Sequence, residues 1–157
     1  MFDTIKNTIE AFSKLRLGAW YGFGDALLVG EGNMSFARSM MNMPQTGATR
    51  VTATVFEKER DISDETTKNA QRILQKGGEV LYGVDATRID KSLKPQCFDT
   101  IIFQFPNVGS RESKHGHTSN HVMIRRFLRS AAMYLEECGK VLITVVDNPH
   151  YAGVLNL

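Results

Sequence analysis

The sequence lacks a long apolar run, a paired cysteine motif and a large excess of charge of one sign. No stretch approaches the roughly 18 consecutive apolar residues that a membrane-spanning helix needs. The first residues alternate charged and apolar side chains, which is unlike a signal peptide. Cys97 and Cys138 are far apart and form no Cys-x-x-Cys unit, so we expect two reduced, partly buried thiols. These absences predict no membrane partner and, by default, a cytoplasmic or organelle-matrix location.

Neither the charge nor the histidines indicate a partner or a metal. The net charge of +2, from 19 basic and 17 acidic residues, is too small to indicate a nucleic-acid surface by itself. His115, His117 and His121 are close in sequence, but they have no nearby cysteine and only Glu112 as acidic support, so we expect no metal site. A chain of 157 residues, 42% of them hydrophobic, is expected to form one domain over 1–157.

Short apolar runs alternate with helical patterns from residue 26 onward, after an amphipathic helix over 2–15 and an irregular connection up to 25. Strands are expected over 26–29, 51–56, 79–84, 98–103 and 141–146, and helices over 35–43, 61–76 and 119–136, with a short element over 87–93. Apolar strands without polar alternation are covered on both faces, as in a parallel sheet. Right-handed crossovers then place helices on both faces, which predicts a doubly wound α/β fold. The ligand of such a sheet lies beyond the carboxyl ends of its strands.

Several single residues predict where elements end and what fills the core. Asp61 or Ser63 is expected to cap the helix over 61–76, and Gly77-Gly78 to end it. Gly139 is expected to end the helix over 119–136. Three methionines are expected to fill gaps in the core: Met40, Met41 and Met43.

The tetrapeptide Gly30-Glu31-Gly32-Asn33 follows the first strand and precedes a helix. Glycines there let ligand atoms approach the backbone and meet the amides of the helix, although an ordinary tight turn has the same pattern. No third glycine completes the dinucleotide fingerprint, since Phe36 and Ala37 follow instead. The pattern therefore favours a ligand without a pyrophosphate.

Two acidic residues are expected at the same edge of the sheet. Glu57 lies about 25 residues after the glycines, where a carboxylate can accept hydrogen bonds from both ribose hydroxyls of a nucleoside; a solvated strand end is the alternative. Asp85 follows the third strand, where it can accept a hydrogen bond from an adenine amino group or cap the next helical turn. Together with the glycines, these residues predict a nucleoside pocket.

Residues 104–118 are too many for a routine connection and predict a functional loop. Positive charge is expected around this loop and the following helix, where it can hold phosphates or simply be solvated. The basic residues concerned are Arg111, Lys114, Arg125, Arg126 and Arg129.

Three ordered motifs, Leu28 to Phe36, Gly83 to Thr87 and Phe98 to Gly109, resemble the ribosomal-RNA uridine methyltransferases related to the fungal large-subunit enzyme that methylates the imino nitrogen of uridine. The resemblance covers nearly the whole chain from residue 26. It implies a Rossmann-like class I methyltransferase fold with sheet order 3-2-1-4-5, S-adenosylmethionine as the cofactor and RNA, ribosomal RNA in particular, as the substrate. In a eukaryote it also allows a nucleolar location.

The resemblance also implies the site residues. Gly30 and Gly32 would lie by the methionine moiety, Glu57 at the ribose and Asp85 at the adenine. The implied cofactor-binding set is Gly30, Glu31, Gly32, Asn33, Ser35, Glu57, Asp85 and Ala86, and the implied catalytic set is Gln104, Phe105, Pro106 and Asn107. Asn120, which opens the helix after the loop, also resembles a family position.

One departure from the family pattern affects the acceptor side. Where the family usually has Asn-Phe-Pro-His, this chain has Gln104-Phe105-Pro106-Asn107, at the place expected to hold the target base. The resemblance is therefore a safer guide to cofactor binding by this chain than to the identity of its substrate. A cofactor-binding or interaction module without catalysis, and a small-molecule methyltransferase, remain as alternatives.

Methyl transfer needs the acceptor nitrogen in line with the sulfonium methyl, so positioning and removal of water supply most of the catalysis. Gln104 can hydrogen-bond a base edge, Phe105 can stack on the base and Pro106 stiffens the turn. The alternative is that Phe105 packs into the core and Gln104 satisfies backbone groups.

The fifth strand predicts an association surface. The enzymes resembled normally continue through a further helix and two more strands, so Val141 to Val146 would form an apolar, unpaired edge here. We expect either a fragment of a longer protein or a homodimer that buries this edge.

Overall fold

The computed structural model describes residues 21–108, 113–114 and 117–145, with only the backbone described at 113, 114, 117 and 118. Its centre is a five-stranded parallel sheet. The strands are β1 (Gly24–Val29), β2 (Ala48–Thr54), β3 (Glu79–Leu81), β4 (Phe98–Gln104) and, last in the chain, β7 (Leu135–Thr144), in the order β3-β2-β1-β4-β7. The predicted doubly wound sheet with order 3-2-1-4-5 is therefore confirmed. The expected helix over 2–15 lies outside the described residues.

Helices cover both faces of the sheet, and each face has its own core. On one face, α1 (Ser35–Met40) and α2 (Asp64–Gln75) cover a core that includes Leu28, Ala53 and Ile73. On the other face, α3 (Ser119–Ala131) and a 3-10 segment, Ala86–Lys91, cover a core that includes Leu27 and Phe127. Neighbouring residues of β1 face opposite cores because side chains alternate along a strand. The apolar runs of β1, β4 and the second half of β2 therefore correspond to strands that are buried on both faces, whereas the edge strands β3 and β7 are only partly buried.

The carboxyl ends of β1, β2 and β4 meet at one edge of the sheet, and the order of the strands reverses beside β1. β1 leads through the glycine loop into α1, and β4 leads through residues 105–118 into α3. Within that second connection, the backbone of β5 (Ser113–Lys114) and β6 (His117–Thr118) forms a short antiparallel ribbon. Both loops thus leave the edge at which a doubly wound sheet binds its ligand.

Several expected boundaries were wrong. α3 ends at Ala131 and is followed by a 3-10 turn, Ala132–Tyr134, so Gly139 lies inside β7 and does not end the helix. β7 begins at Leu135 because its register with β4 shifts between Phe98 and Thr100, and the shift absorbs extra residues that look like a turn in sequence. Other elements also differ from the expected ranges: α1 stops at Met40, β2 covers Ala48–Thr54 and β3 stops at Leu81.

The cysteine and methionine expectations were partly wrong. Cys97, directly before β4, and Cys138, in the exposed first part of β7, are free but exposed. Met40 is buried and Met41 packs against the core, whereas Met43 is 44% exposed because it follows the end of α1.

β7 pairs with β4 on one side, and its other side has no partner strand among residues 21–108, 113–114 and 117–145. Val141, Leu142 and Ile143 are partly buried. The association that such an edge would support stays a prediction. Within the same residues, no helix is long and apolar enough to cross a membrane.

The cap of α2 provides a stability test, because the sequence leaves Asp61 and Ser63 as alternatives and the structure selects Ser63. Its side-chain oxygen accepts a hydrogen bond from the backbone N–H of Thr66 at 3.1 Å. The side chain of Asp61 instead forms an exposed ion pair with Arg60 at 3.6 Å. We expect Ser63→Ala to lower the free energy of unfolding by about 1 kcal/mol in urea denaturation. The control Asp61→Ala should leave it nearly unchanged, and equal losses in the two variants would contradict this assignment of the cap.

Candidate functional site

A cleft of about 1020 Å³ opens at the carboxyl edge of the sheet, between the glycine loop, the end of β4 and α3. It is lined by residues of five regions: Gly30 and Gly32; Phe56 and Glu57; Val84, Asp85, Ala86 and Thr87; Phe103, Phe105, Pro106, Asn107 and Val108; and Ser119, Val122, Met123, Arg125 and Arg126. This volume is at the upper end of the range for small-molecule sites. Eight of the predicted site residues are among those that line it.

Gly30 is required by close packing at the base of the cleft. Its φ is +64°, and a Cβ atom there would lie 2.5 Å from Cε2 of Phe103. A side chain at this position is excluded both by the backbone conformation and by the aromatic ring. Gly30 therefore lets the loop cross directly over the end of β4.

Gly32 lacks a side chain for a different reason. A Cβ atom there would meet no described atom within 4 Å, and its backbone does not have a positive φ. The fold itself does not require glycine at this position, so the space is open on the side of the cleft. A ligand that uses this space would approach the backbone, as the sequence predicts.

The loop is held from beneath by polar groups that do not line the cleft. Asn33 accepts a hydrogen bond from the backbone N–H of Ser35 through its side chain, and its carbonyl oxygen accepts one from Nδ2 of Asn69 at 2.7 Å. Met34, buried next to them, has a φ of +60°. Asn33 and Ser35 thus support the loop, and any contact of theirs with a cofactor stays a prediction.

Glu31 is also beneath the loop, with 5% of its surface exposed. Its Oε2 accepts a hydrogen bond from the backbone N–H of Ala37 at 3.0 Å, inside the first turn of α1. Burial raises the pKa of this carboxyl from 4.5 to about 7, and the hydrogen bond from Ala37 only partly opposes the shift. Glu31 therefore joins the loop to α1 and titrates near neutral pH.

Glu57 and Asp85 both line the cleft, as the sequence predicts. Glu57 is exposed and lies three residues beyond the end of β2, so it belongs to a loop and not to the strand itself. Oδ1 of Asp85 accepts hydrogen bonds from the backbone N–H and the hydroxyl of Thr87, at 2.8 and 2.7 Å. Asp85 thus caps the segment Ala86–Lys91 while it faces the cleft, so both of its expected roles fit its position.

The end of β4 separates the four predicted acceptor-side residues. Phe105 is 56% exposed with a φ of +48°, Pro106 is buried and Asn107 is exposed, and all three line the cleft. Gln104 does not line it, and its Nε2 is buried without a hydrogen-bond partner among the described residues. The alternative that Phe105 packs into the core is therefore wrong, whereas stacking of Phe105 on a base and contact of Gln104 with a base both stay predictions.

Two hydrogen bonds hold the segment on either side of Phe105. Its own backbone N–H donates to the carbonyl oxygen of Thr144 at 2.8 Å. The N–H of Val108 donates to Oδ1 of Asn120 at 2.8 Å, and Asn120 is buried at the start of α3. β7 and α3 thus fix the aromatic ring at the mouth of the cleft.

Sequence reasoning missed several lining residues, including Phe56, Ser119, Val122 and Met123. Phe56 is 67% exposed, which is unusual for an aromatic residue two positions after the buried end of a strand. The helical spacing of Val122 predicts a core contact, and only the tertiary structure shows that this residue borders the cleft. The next residue, Met123, packs against the core and also lines the cleft. Arg125 and Arg126 were expected near the loop and do line the cleft.

The histidines near the loop were expected not to form a metal site. His115 lies outside the described residues, as does the side chain of His117. Across the described part of the chain, no group of three or more histidine, cysteine, aspartate or glutamate side chains is placed to hold a metal ion.

Comparisons with known proteins agree with this geometry. The sequence model of the BMT5-like family, described as rRNA (uridine-N3-)-methyltransferase BTM5-like, matches residues 27–154. The chain is 35% identical over 123 residues to the Ferredoxin-fold anticodon-binding domain-containing protein 1 homolog of Mus musculus, covering 76% of this chain and 19% of the relative. It is 34% identical over 128 residues to protein At4g26485 of Arabidopsis thaliana, covering 75% of this chain and 61% of the relative. The chain thus spans less than two thirds of either relative.

The fold matches that of a solved methyltransferase. The N-methyltransferase NodS of Bradyrhizobium japonicum WM9 superimposes with a TM-score of 0.56 at 13% identity, over 96% of this chain and 71% of that one. The sheet order, the glycine loop and the cleft define the class as a Rossmann-like class I methyltransferase fold. The chain belongs to the BMT5-like family of rRNA (uridine-N3-)-methyltransferases, whose methyl donor is S-adenosylmethionine.

The buried carboxyl of Glu31 predicts a pH-dependent stability. Because its pKa in the folded chain lies above 4.5, its contribution to stability is full below about pH 4.5 and is lost as the pH rises to about 7. Glu31→Gln keeps an acceptor for the N–H of Ala37 but cannot ionise. In urea denaturation between pH 5 and 8, we expect the original chain to lose up to roughly 3 kcal/mol relative to this variant. Parallel pH profiles for the two proteins would contradict the prediction.

Proposed function

We propose that this chain transfers a methyl group from S-adenosylmethionine to a base nitrogen of RNA, with a uridine of ribosomal RNA as the acceptor. The observation that carries the proposal is the position of Phe105. An exposed aromatic ring is held beside the glycine loop, in the same cleft as Glu57 and Asp85. A nucleoside cofactor and a second, planar ligand can therefore meet in this cleft.

The backbone of Phe105 supports a functional role for its ring. A positive φ is rare for a bulky residue, and it persists only where the surrounding structure enforces it. Here the N–H groups of Phe105 and Val108 are held by Thr144 and Asn120, and Pro106 between them is buried. The conformation turns the ring toward solvent at the cleft mouth, where a base can stack on it.

The cofactor side is supported by the residues around Gly32. The open space at Gly32 suits the methionine moiety, and the carboxylates of Glu57 and Asp85 suit the hydroxyl and amino donors of a nucleoside. Bound there, S-adenosylmethionine would supply an electrophilic methyl group, and its transfer to the imino nitrogen would leave the demethylated cofactor and release the imino proton of the base to water. The residues of the chain contribute binding, alignment and the removal of water, and no nucleophilic side chain is needed.

Cofactor binding is tested at Gly32. Gly32→Val adds a branched side chain to space that is empty in the fold, so we expect the free energy of unfolding to change little while S-adenosylmethionine binds on the order of tenfold or more weakly. Titration calorimetry with S-adenosylmethionine and its demethylated product measures this loss, and Gly32→Ala should lose less. A stable Gly32→Val protein with unchanged affinity would show that the cofactor lies elsewhere.

The acceptor side is tested at Phe105. Stacking on a base is worth about 1–3 kcal/mol, so Phe105→Ala should slow methyl transfer to ribosomal RNA by roughly five- to 150-fold, while cofactor affinity stays within a few-fold. The measurement is transfer of tritium from labelled S-adenosylmethionine, and Phe105→Tyr should retain most of the rate.

A second variant separates a stacking role from a structural one. Phe105→Gly also removes the ring, but glycine adopts a positive φ without steric cost. The free energy of unfolding of Phe105→Gly should therefore equal or exceed that of Phe105→Ala. If both variants transferred methyl groups at the original rate, Phe105 would not be the platform.

A further inference from the structure

The charges of α3 are unusually one-sided. Its sequence from Ser119 to Ala131 contains Arg125, Arg126 and Arg129 and no aspartate or glutamate. By contrast, α2 on the opposite face of the sheet carries Asp64 and Glu65 as well as Lys68 and Arg72. The chain as a whole has a net charge of only +2, so three unbalanced positive charges on one helix are a local concentration.

The three arginines form one surface, which we call the arginine ridge. Arg125 and Arg126 line the cleft, and Arg129 follows about one helical turn further along α3. All three side chains are exposed. None makes an ion pair with any residue that the structure describes. The ridge therefore leads from the mouth of the cleft out along the surface of α3.

Among the residues that the structure describes, no acidic side chain of the elements packed against α3 forms an ion pair with the ridge, and the acidic residues of the cleft, Glu57 and Asp85, lie on its β2 and β3 side. The segment Ala86–Lys91, which packs against α3 through the hydrogen bond from the N–H of Ile89 to Oγ of Ser130, contributes the exposed Arg88. On that segment, the carboxylate of Asp90 faces the ammonium of Lys91 at 3.6 Å. Glu136 and Glu137 lie near the amino end of β7, at the opposite edge of the sheet from the cleft.

Compensation of the helix dipole does not account for this arrangement. A positive charge stabilises a helix only near its last turn, where Arg129 lies. Arg125 and Arg126 are in the middle of α3, where the dipole has little effect, and yet these two are the ones that border the cleft. Guanidinium groups bind phosphate oxygens through two parallel hydrogen bonds, which makes them suited to a polynucleotide backbone.

We propose that the arginine ridge of Arg125, Arg126 and Arg129 binds the phosphates of single-stranded RNA next to the nucleotide that enters the cleft. The proposal rests on the proposed function, because it assigns the backbone contacts of the same substrate whose base stacks on Phe105. Arg125 and Arg126 bind the phosphates nearest the target base, and Arg129 binds one further along the strand. The ridge sets the direction in which RNA leaves the cleft, whereas the cofactor side does not depend on it.

The test is the salt dependence of RNA binding. The probe is a fluorescein-labelled 12-nucleotide oligouridylate, followed by fluorescence anisotropy at several salt concentrations, with the full chain carrying Arg125→Ala, Arg126→Ala and Arg129→Ala together. Each phosphate contact adds about 0.7 to the slope of log affinity against log salt, so the variant should lose about 2 from the slope and bind on the order of tenfold or more weakly at low salt. A variant with lysine in place of all three arginines should retain much of the slope, because lysine keeps the positive charge.

Controls keep the result specific. Arg72→Ala removes an exposed arginine from α2 on the opposite face and should leave both slope and affinity unchanged. Affinity for S-adenosylmethionine, measured on the same triple variant, should stay within a few-fold because Gly32, Glu57 and Asp85 are intact, and this measurement separates failure of the ridge from failure of the cofactor site.

Three outcomes of the oligouridylate experiment would overturn the ridge. They are an unchanged slope in the triple variant, an equal loss in Arg72→Ala, and the absence of any oligouridylate binding by the original chain. Equal binding of a poly-glutamate peptide, with the same loss in the triple variant, would show a surface for acidic proteins and would also overturn it. Normal cofactor binding and methyl transfer alongside any of these results would leave the proposed function intact.

Discussion

The contact between Gly30, Phe103 and Phe127 unites the three parts of the cleft. Gly30 crosses the ring of Phe103 so closely that no side chain fits, and that ring meets Phe127 edge to face, with centroids 5.0 Å apart. The glycine loop, the end of β4 and α3 therefore share one packing contact. A shift in any of them would change the distance between the loop and Phe105, and close-packed interiors transmit such shifts because they contain little free volume.

The cleft built around this contact has two electrostatic sides. Glu57 and Asp85 lie on the side of β2 and β3, whereas Arg125 and Arg126 lie on the side of α3. S-adenosylmethionine carries a positive sulfonium and the proposed RNA substrate carries negative phosphates, so under the proposed function the two favour opposite sides. Such complementarity guides orientation more than it adds affinity. A chain whose total charge is nearly balanced can in this way still present a strongly basic helix beside its site.

Two features of the site are costly for the fold. Phe105 is held at a positive φ, and Glu31 is a carboxyl buried beneath the loop. Each feature is held by a hydrogen bond from or to a neighbour. The N–H of Phe105 donates to the carbonyl oxygen of Thr144, and the carboxyl of Glu31 accepts from the N–H of Ala37. Unfavourable local features that are supported by several contacts are typical of functional sites. The cost at Phe105 keeps an aromatic ring exposed, and the cost at Glu31 couples the loop to α1.

The amino-acid sequence by itself determined the order of strands and helices, the glycine loop and the edge of the sheet at which the ligand belongs. These properties depend on local patterns, namely apolar runs, helical spacing and glycines after a strand. Only the tertiary structure decided that β7 begins at Leu135, that Phe105 faces the cleft while Gln104 does not, and that the middle of α3 forms its basic wall. Each of these depends on the register between β4 and β7 or on the packing of α3 against the sheet. Such contacts join residues far apart in the chain, and no local pattern records them.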